Sequence, residues 1–278
     1  MSAKLSLPGK TVLITGAARG IGAAVARQLH ASGANVSLVG IEPERLRALS
    51  AELGARAAAF EADVTSLDEL EAAAGGTVST FGGIDVVIAN AGIAQPVTPV
   101  AEIDVTAFER VLEINLLGVW RTVKSTLPQV IQRQGHIVLI SSIYSFFNGV
   151  LGASYAMSKA GVEQLGRALR VELAASGVTV SVAYFGFIDT DMVSTVFAQS
   201  GIEAFKKAFP AFITKPMSLD LAVTKLVRGI EHRAPRITAP RWVAPALIAR
   251  GPLQLLDARL ARDEHVRAAV KMASHPAQ

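Results

Sequence analysis

The chain has 278 residues, 51% of them hydrophobic, with a formal net charge of +4 and no cysteine. The length suffices for one large core, and no Gly/Ser-rich or Pro-rich linker interrupts it before residue 235, so a single main domain is expected. Absent thiols exclude disulfides, thiolate catalysis and cysteine-ligated metal, and a small charge excess without a recognisable motif gives no case for a nucleic-acid partner. Residues 1–9 carry no apolar signal-peptide region, and no uninterrupted apolar run of about 18 residues follows. The expected setting is therefore the cytoplasm, without a spanning helix.

Short apolar runs at 11–15, 35–39, 56–60, 84–89, 136–141, 178–184 and, weakly, 236–239 read as strands. Between them, 20–32, 43–53, 66–81, 104–133 and 154–176 place apolar residues at helical spacing. In 104–133, for example, Phe108, Leu112 and Val119 recur at steps of four and seven. Strands that are apolar throughout and separated by helices predict a parallel sheet covered on both faces. With right-handed crossovers this is an α/β fold, one doubly wound parallel sheet of Rossmann type. Ligands of such sheets bind at the carboxyl ends of the strands, so the chemistry should lie just after them.

After the first strand comes Thr15-Gly16-Ala17-Ala18-Arg19-Gly20-Ile21-Gly22. Gly16 permits a tight turn, Gly20 lets backbone approach a pyrophosphate, and Gly22 lets the helix pack closely on the sheet. The helix start then offers free N–H groups and a partial positive charge to phosphate. Asp63-Val64 closes the third strand and Asn90-Ala91-Gly92 the fourth. In the following long helix Asn115 is polar among Ile114, Leu116 and Leu117. Ser142 ends the fifth strand, and 13 residues later Tyr155 and Lys159 lie four apart in a helix, on one face. A free phenol has a pKa of about 10. A neighbouring ammonium would lower it towards the working range of an acid/base.

Taken together, the octapeptide at 15–22, the Asp63 and Asn90-Ala91-Gly92 positions, and Ser142 with Tyr155 and Lys159 resemble the TGxxxGIG, NAG and YxxxK signatures of the short-chain dehydrogenase/reductase family. The resemblance runs from about Lys10 to about Pro240. It implies an NAD(P)-dependent oxidoreductase that interconverts an alcohol and a carbonyl. Tyr155 resembles the family's catalytic acid/base and Ser142 its partner on the substrate oxygen. Lys159 would bind the nicotinamide ribose, and Asn115 would hold a water in a proton relay from Lys159. Asp63 would hold the adenine, with Gly16, Arg19, Gly20, Ile21, Gly22, Val64, Asn90 and Gly92 completing the cofactor cleft. Homodimers and homotetramers are the family's usual assemblies.

The resemblance leaves the choice between NAD and NADP open. At the end of the second strand the acid that would bind the adenosine 2′-OH is replaced by Gly40, followed by Ile41. Glu42 could reach the ribose instead. Arg19 resembles the basic residue that meets a 2′-phosphate, and charge logic leans to NADP(H). After the sixth strand the family's Pro-Gly is replaced by Phe185-Gly186, leaving Ile188 and Thr190 as the expected carboxamide contacts.

Residues 191–217 should form a substrate lid within a domain of residues 1–240. Their bulk, including Met192, Val196, Phe197, Phe205, Phe209 and Phe212, fits either an apolar, lipid-, terpenoid- or steroid-like substrate or packing against the domain or a partner subunit. Residues 241–278 add a basic amphipathic extension, with Trp242, Leu247, Ile248, Leu253, Leu256 and Leu260 at helical spacing. It could lie on a membrane surface or dock its stripe on the domain, the commoner outcome, with Pro245 and Pro252 breaking it into short helices. His136, Tyr144 and Asp189 have no matching role, and His136 should face the sheet surface or a helix. The five histidines show no metal-ligand spacing, so no metal is expected, and no GxSxG elbow marks a hydrolase. The competing reading is a catalytically silent NAD(P)-binding regulator or scaffold.

Overall fold

Each apolar run becomes a strand in the computed structural model, which describes residues 4–274. The strands are β1 (Thr11–Thr15), β2 (Asn35–Gly40), β3 (Ala57–Glu61), β4 (Val86–Ala89), β5 (His136–Ile140), β6 (Thr179–Phe185) and β7 (Arg236–Ala239). They form one sheet in the order β3-β2-β1-β4-β5-β6-β7, and all neighbours are parallel. The chain reverses its winding between β1 and β4, where a doubly wound sheet opens its ligand crevice.

Side-chain alternation explains both covered faces. Val12 and Ile14 of β1 point to one side, Leu13 to the other, and each is at most 1% exposed. The first face packs α1 (Gly20–Ala31), α2 (Pro43–Leu53) and α10 (Leu219–Glu231). On the second lie α3 (Leu67–Phe81), α5 (Gly118–Gln132) and α6 (Ala153–Glu172). Burying each such Leu, Ile or Val contributes ~1.5–3 kcal/mol.

Several helix starts follow capping chemistry. Ser66 accepts from Glu69 N at the start of α3, Asp104 from Ala107 N at α4 (Val105–Leu112), and Ser218 from Leu221 N at α10. The start of α1, beside the glycine turn, has neither a side-chain cap nor an acid in its first turn.

The stretch 104–133, expected as one helix, is split by a π-helical turn at Glu113–Leu117. Asn115 sits in that turn, fully buried, with Nδ2 donating to Ile93 O and Oδ1 accepting from Ile93 N, both at 2.8 Å. The extra residue of a π turn lets this polar side chain face the chain leaving β4 while apolar neighbours keep their contacts.

Residues 191–217 form α7 (Asp191–Phe197), α8 (Ile202–Lys207) and α9 (Ala211–Thr214). The excursion is pinned at its base, where Met217 N donates to Phe187 O and Asp189 N to Met217 O, both at 2.9 Å. The chain then runs through α11 (Val243–Ile248), α12 (Arg250–Leu253), α13 (Asp257–Leu260) and α14 (Glu264–Ser274). The apolar stripe expected there is not continuous. Leu247 is buried, whereas Ile248 is 79% exposed and Leu256 46%. Pro245 and Pro252, expected to break the segment, instead lie in the first turns of α11 and α12, and the chain turns at Ala249 and again beyond Leu253, so one spacing cannot keep one face. Instead Glu163, buried on α6, pairs with Arg250, and α14 packs Ala269 and Ala273 against Phe205 and Leu151. Among the described residues no helix is long and apolar enough to cross a membrane.

Candidate active site

The loop after β1 has the shape a phosphate requires. Gly16 and Gly20 take positive φ of 65° and 56°, conformations costly for residues with a Cβ. A Cβ on Gly22 would lie 2.2 Å from Gly16 O, so the helix can approach the turn only without one. A Cβ placed on Gly20 would meet nothing nearer than Thr190 Cγ2 at 4.0 Å, so the space over this turn is open to a ligand. Open backbone, an uncapped helix start and its dipole fit a pyrophosphate. Ile21 packs partly on the core, so only its main chain is available there.

Asn90 holds this turn. Its Nδ2 donates to Thr15 O at 3.0 Å and Gly16 O at 3.1 Å, while Asn90 N and Ala91 N donate to Thr15 Oγ1. Gly92 makes room for Asn115, whose Oδ1 lies 3.1 Å from where a Cβ would stand. Both asparagine side chains are thus committed to main chain. Asp63 Oδ1 accepts from Thr65 N at 2.8 Å, and Val64 is buried against Gly118.

At the end of β2, the two residues that compete for the ribose are bound to each other. Arg19 Nε donates to Glu42 Oε1 at 3.0 Å, and Arg45 Nε lies 3.2 Å from Glu42 Oε2. Two cations around one carboxylate leave the cluster with one net positive charge, and Ile41 is exposed.

On the other side of the switch point, Ser142, Tyr155 and Lys159 converge. Ser142 Oγ donates to Phe185 O at 3.3 Å and accepts from Tyr144 N. Burial pushes the Tyr155 phenol up to about 12, partly offset by a hydrogen bond with Ser142. Burial brings Lys159 down to about 8. The expected lowering of the phenol by the ammonium is not dominant here. Lys159 Nζ donates to Ile140 O at 3.0 Å and lies 5.4 Å over the Tyr155 ring, so its charge meets a carbonyl and the ring face. Tyr155 is therefore a phenol throughout the neutral range, ready to give a proton.

Two site residues carry no local sequence signal. Gln95, 6% exposed, accepts from Ser154 Oγ and, at 3.0 Å, from Tyr155 N, and donates to Leu151 O at 2.9 Å. It seats the first turn of α6 and with it the phenol. Tyr144 stands edge-on to Tyr155, ring centres 5.8 Å apart, and burial raises its phenol well above the usual range. His136 is not on a sheet surface. It is fully buried in β5, with Nδ1 against Thr179 Oγ1 at 2.7 Å and Nε2 against Ser181 Oγ at 3.0 Å, and burial lowers it to about 3.

Phe185, standing where the family has proline, ends β6 inside the core. Ile188 is buried too and bridges to Met217, so it offers main chain to a ligand, while Thr190 reaches over Gly20. Ser142, Tyr144, Tyr155, Phe187, Val196 and Phe205 contribute to the walls of a chamber of ≈ 110 Å³.

A phosphate turn at the switch point of a parallel sheet, facing a Ser–Tyr–Lys group across the crevice, defines a nicotinamide-dinucleotide oxidoreductase. The sequence pattern described as short chain dehydrogenase matches residues 10–201. Nodulation protein G of Rhizobium sp. (strain N33) is 35% identical over 222 residues, covering 80% of this chain and 89% of the relative. Cis-4-hydroxycyclohexanecarboxylate dehydrogenase of Sinomonas cyclohexanicum is 40% identical over 189 residues, 66% of this chain and 76% of that protein. A 3-oxoacyl-acyl-carrier-protein reductase of Aquifex aeolicus (strain VF5) is 32% identical over 212 residues, 74% and 85%. The chain belongs to the short-chain dehydrogenase/reductase family, and it is an NAD(P)-dependent oxidoreductase acting on CH–OH groups.

Proposed function

We propose that the chain interconverts an apolar secondary alcohol and its ketone with NADP(H), using Ser142, Tyr155 and Lys159. The observation that carries this reading is the half-buried Tyr155, which lines an apolar chamber together with Ser142 and has Lys159 Nζ 5.4 Å over its ring. The nicotinamide, when bound, supplies or accepts the hydride. Ser142 holds the substrate oxygen, and Tyr155 gives that oxygen a proton as the carbonyl carbon is reduced. In the reverse direction Tyr155 must first lose its proton, so oxidation gains with rising pH. Lys159 would donate to the ribose hydroxyls, and below about pH 8, where burial leaves it charged, its ammonium lies 5.4 Å over the ring of Tyr155. Arg19 receives the 2′-phosphate, supported by the net positive charge of the Arg19–Glu42–Arg45 cluster. Exposed Trp120 on α5 and exposed Met157 and Val171 on α6 support a homo-oligomer built through the long helices.

Replacing Tyr155 by Phe tests the centre. Ketone reduction should fall by about 10²–10⁴ with cofactor affinity kept. Wild-type reduction should be flat near neutrality, and oxidation should climb towards pH 10. Unchanged turnover of Tyr155→Phe on any active substrate would sink the assignment.

A further inference from the structure

Beyond the catalytic chamber lies a second, larger cleft of ≈ 980 Å³. Its walls come from the segment after β5, from α6 through Ala156, Met157 and Ala160, from the lid, and from α11 to α13 of the extension. The two spaces adjoin, since Ile143, Tyr144, Phe187, Phe205 and Thr214 line both. Tyr144 is edge-on to Tyr155 at 5.8 Å and to Phe187 at 6.4 Å, so the cleft begins one ring away from the catalytic phenol.

We propose that this cleft holds the apolar body of the substrate while its carbinol or carbonyl end sits in the chamber. The substrate class is thus a long alkyl or fused-ring secondary alcohol or ketone reacting near one end. The proposal rests on the oxidoreductase reading and narrows its substrate. Size argues for it. A water needs about 10–15 Å³ of such space, so ≈ 110 Å³ admits only a small head group, while the cleft is roughly nine times larger (980/110). Chemistry argues for it as well. Phe147, Phe209, Phe212 and Trp242 line the cleft; of its three charged members Asp257 and Arg259 are exposed to solvent, and Asp263 is engaged through Oδ1 by His265 N and Val266 N. The wall is also built rather than incidental. Trp242 is held edge-on by Phe147 at 5.9 Å and Phe212 at 6.0 Å, and Arg250 ties the extension to buried Glu163. Phe212 stays 58% exposed and Leu256 46%, apolar surface that an apolar occupant would cover.

The test uses the full chain with NADPH and methyl ketones from butan-2-one to tridecan-2-one. Specificity kcat/KM should rise about two- to fourfold per added methylene, the upper figure being the ~0.8 kcal/mol of a buried CH₂ converted at 1.36 kcal/mol per tenfold. Ala249→Trp, at an exposed position on the cleft wall, should cut that gain at least tenfold for the longest ketone and leave butan-2-one unaffected. A second readout needs no turnover. The chain has two tryptophans, so in Trp120→Phe the emission of Trp242 reports on the cleft and should shift on titration with tridecan-2-one. A flat length profile with a silent Trp242 overturns the proposal. So does a flat profile in which Ala249→Trp instead dissociates an oligomer in sedimentation, or in which phosphatidylglycerol vesicles alone shift Trp242. If no ketone or alcohol turns over but tridecan-2-one shifts Trp242 in Trp120→Phe and not in Trp120→Phe carrying Ala249→Phe, the cleft stands and the oxidoreductase reading fails.

Discussion

The Arg19–Glu42 pair offers a quantitative handle on cofactor choice. Side chains of Arg19, Glu42 and Arg45 are 60%, 34% and 59% exposed, so each ion pair contributes only ~0.2–1 kcal/mol. A 2′-phosphate brings about −1.5 to −2 charges, and a hydrogen bond to a charged group contributes ~1.5–3 kcal/mol. Arg19 therefore gains by turning from Glu42 to the phosphate. Glu42→Gln removes the competing carboxylate and its repulsion, together ~1–2 kcal/mol at surface dielectric. NADPH should then bind about 5–30-fold more tightly. NADH, losing at most one ribose contact of ~1 kcal/mol, should weaken about fivefold. Arg19→Ala should weaken NADPH by about 10–150-fold, the loss of one charged hydrogen bond, and leave NADH almost unchanged. The assay is nicotinamide fluorescence on titration with each cofactor at low and high salt, where the NADPH effects should shrink at high salt. If Arg19→Ala leaves NADPH binding intact while Glu42→Gln abolishes NADH binding, Glu42 is the ribose ligand and the charge argument is refuted.

Three further outcomes follow from geometry. Gly22→Ala places a Cβ 2.2 Å from Gly16 O and 2.8 Å from Asn90 Nδ2. It should lower stability by ~1–3 kcal/mol and cofactor affinity at least tenfold, and an unchanged Tm with unchanged binding would contradict the turn assignment. Gln95→Leu leaves Tyr155 N and Leu151 O without their partner. At ~1–3 kcal/mol per stranded group, Tm should drop and kcat fall more than KM rises, with Gln95→Glu recovering part of kcat through the restored acceptor; equal loss in both variants would argue for simple unfolding. His136 is lowered to about 3 by burial, so the unfolded chain takes up its proton from about pH 6.5 downward while the folded chain does not. That contribution is full above pH 6.5 and is lost as pH falls towards 3, at up to ~1.4 kcal/mol per pH unit. Urea unfolding of wild type and His136→Gln between pH 7 and 5 should show the steeper loss in wild type.

Strand positions were legible because strands buried on both faces are unbroken apolar runs. β1 coincides with its run at 11–15, and β3 is displaced by one residue. The glycine turn was legible because backbone conformation is a local property; helical spacing put Tyr155 and Lys159 on one face, and only the resemblance to the family pattern joined Ser142 to them. What escaped the sequence depends on distant partners. Periodicity runs unbroken through Asn115, and only its bonds to Ile93, 22 residues earlier, call for the π turn. Gln95 is meaningful only through Ser154 and Tyr155, some 60 residues away. Four-residue spacing correctly puts Tyr155 and Lys159 on one face, but it cannot say that Ile140 O takes the ammonium and leaves burial to set the phenol.

The extension changes what the lid can do. The family match ends at residue 201, within the lid and before α8. From there α8 is covered by α14, close enough that a Cβ on Gly201 would meet Ala269 O at 2.6 Å. Phe205 of α8, Leu151 and Ala269 and Ala273 of α14 are buried together, each at most 8% exposed. Lifting α8 alone would expose this cluster, at ~25 cal/mol for each Å² of apolar surface uncovered. The base of the lid is fixed by the Phe187–Met217 and Asp189–Met217 bonds. A lid held at both ends opens with its clamp or not at all. The chamber wall from residue 201 onward is thus held by α14 and by the Met217 bonds, while the proposed Ser–Tyr–Lys group stands on the end of β5 and on α6.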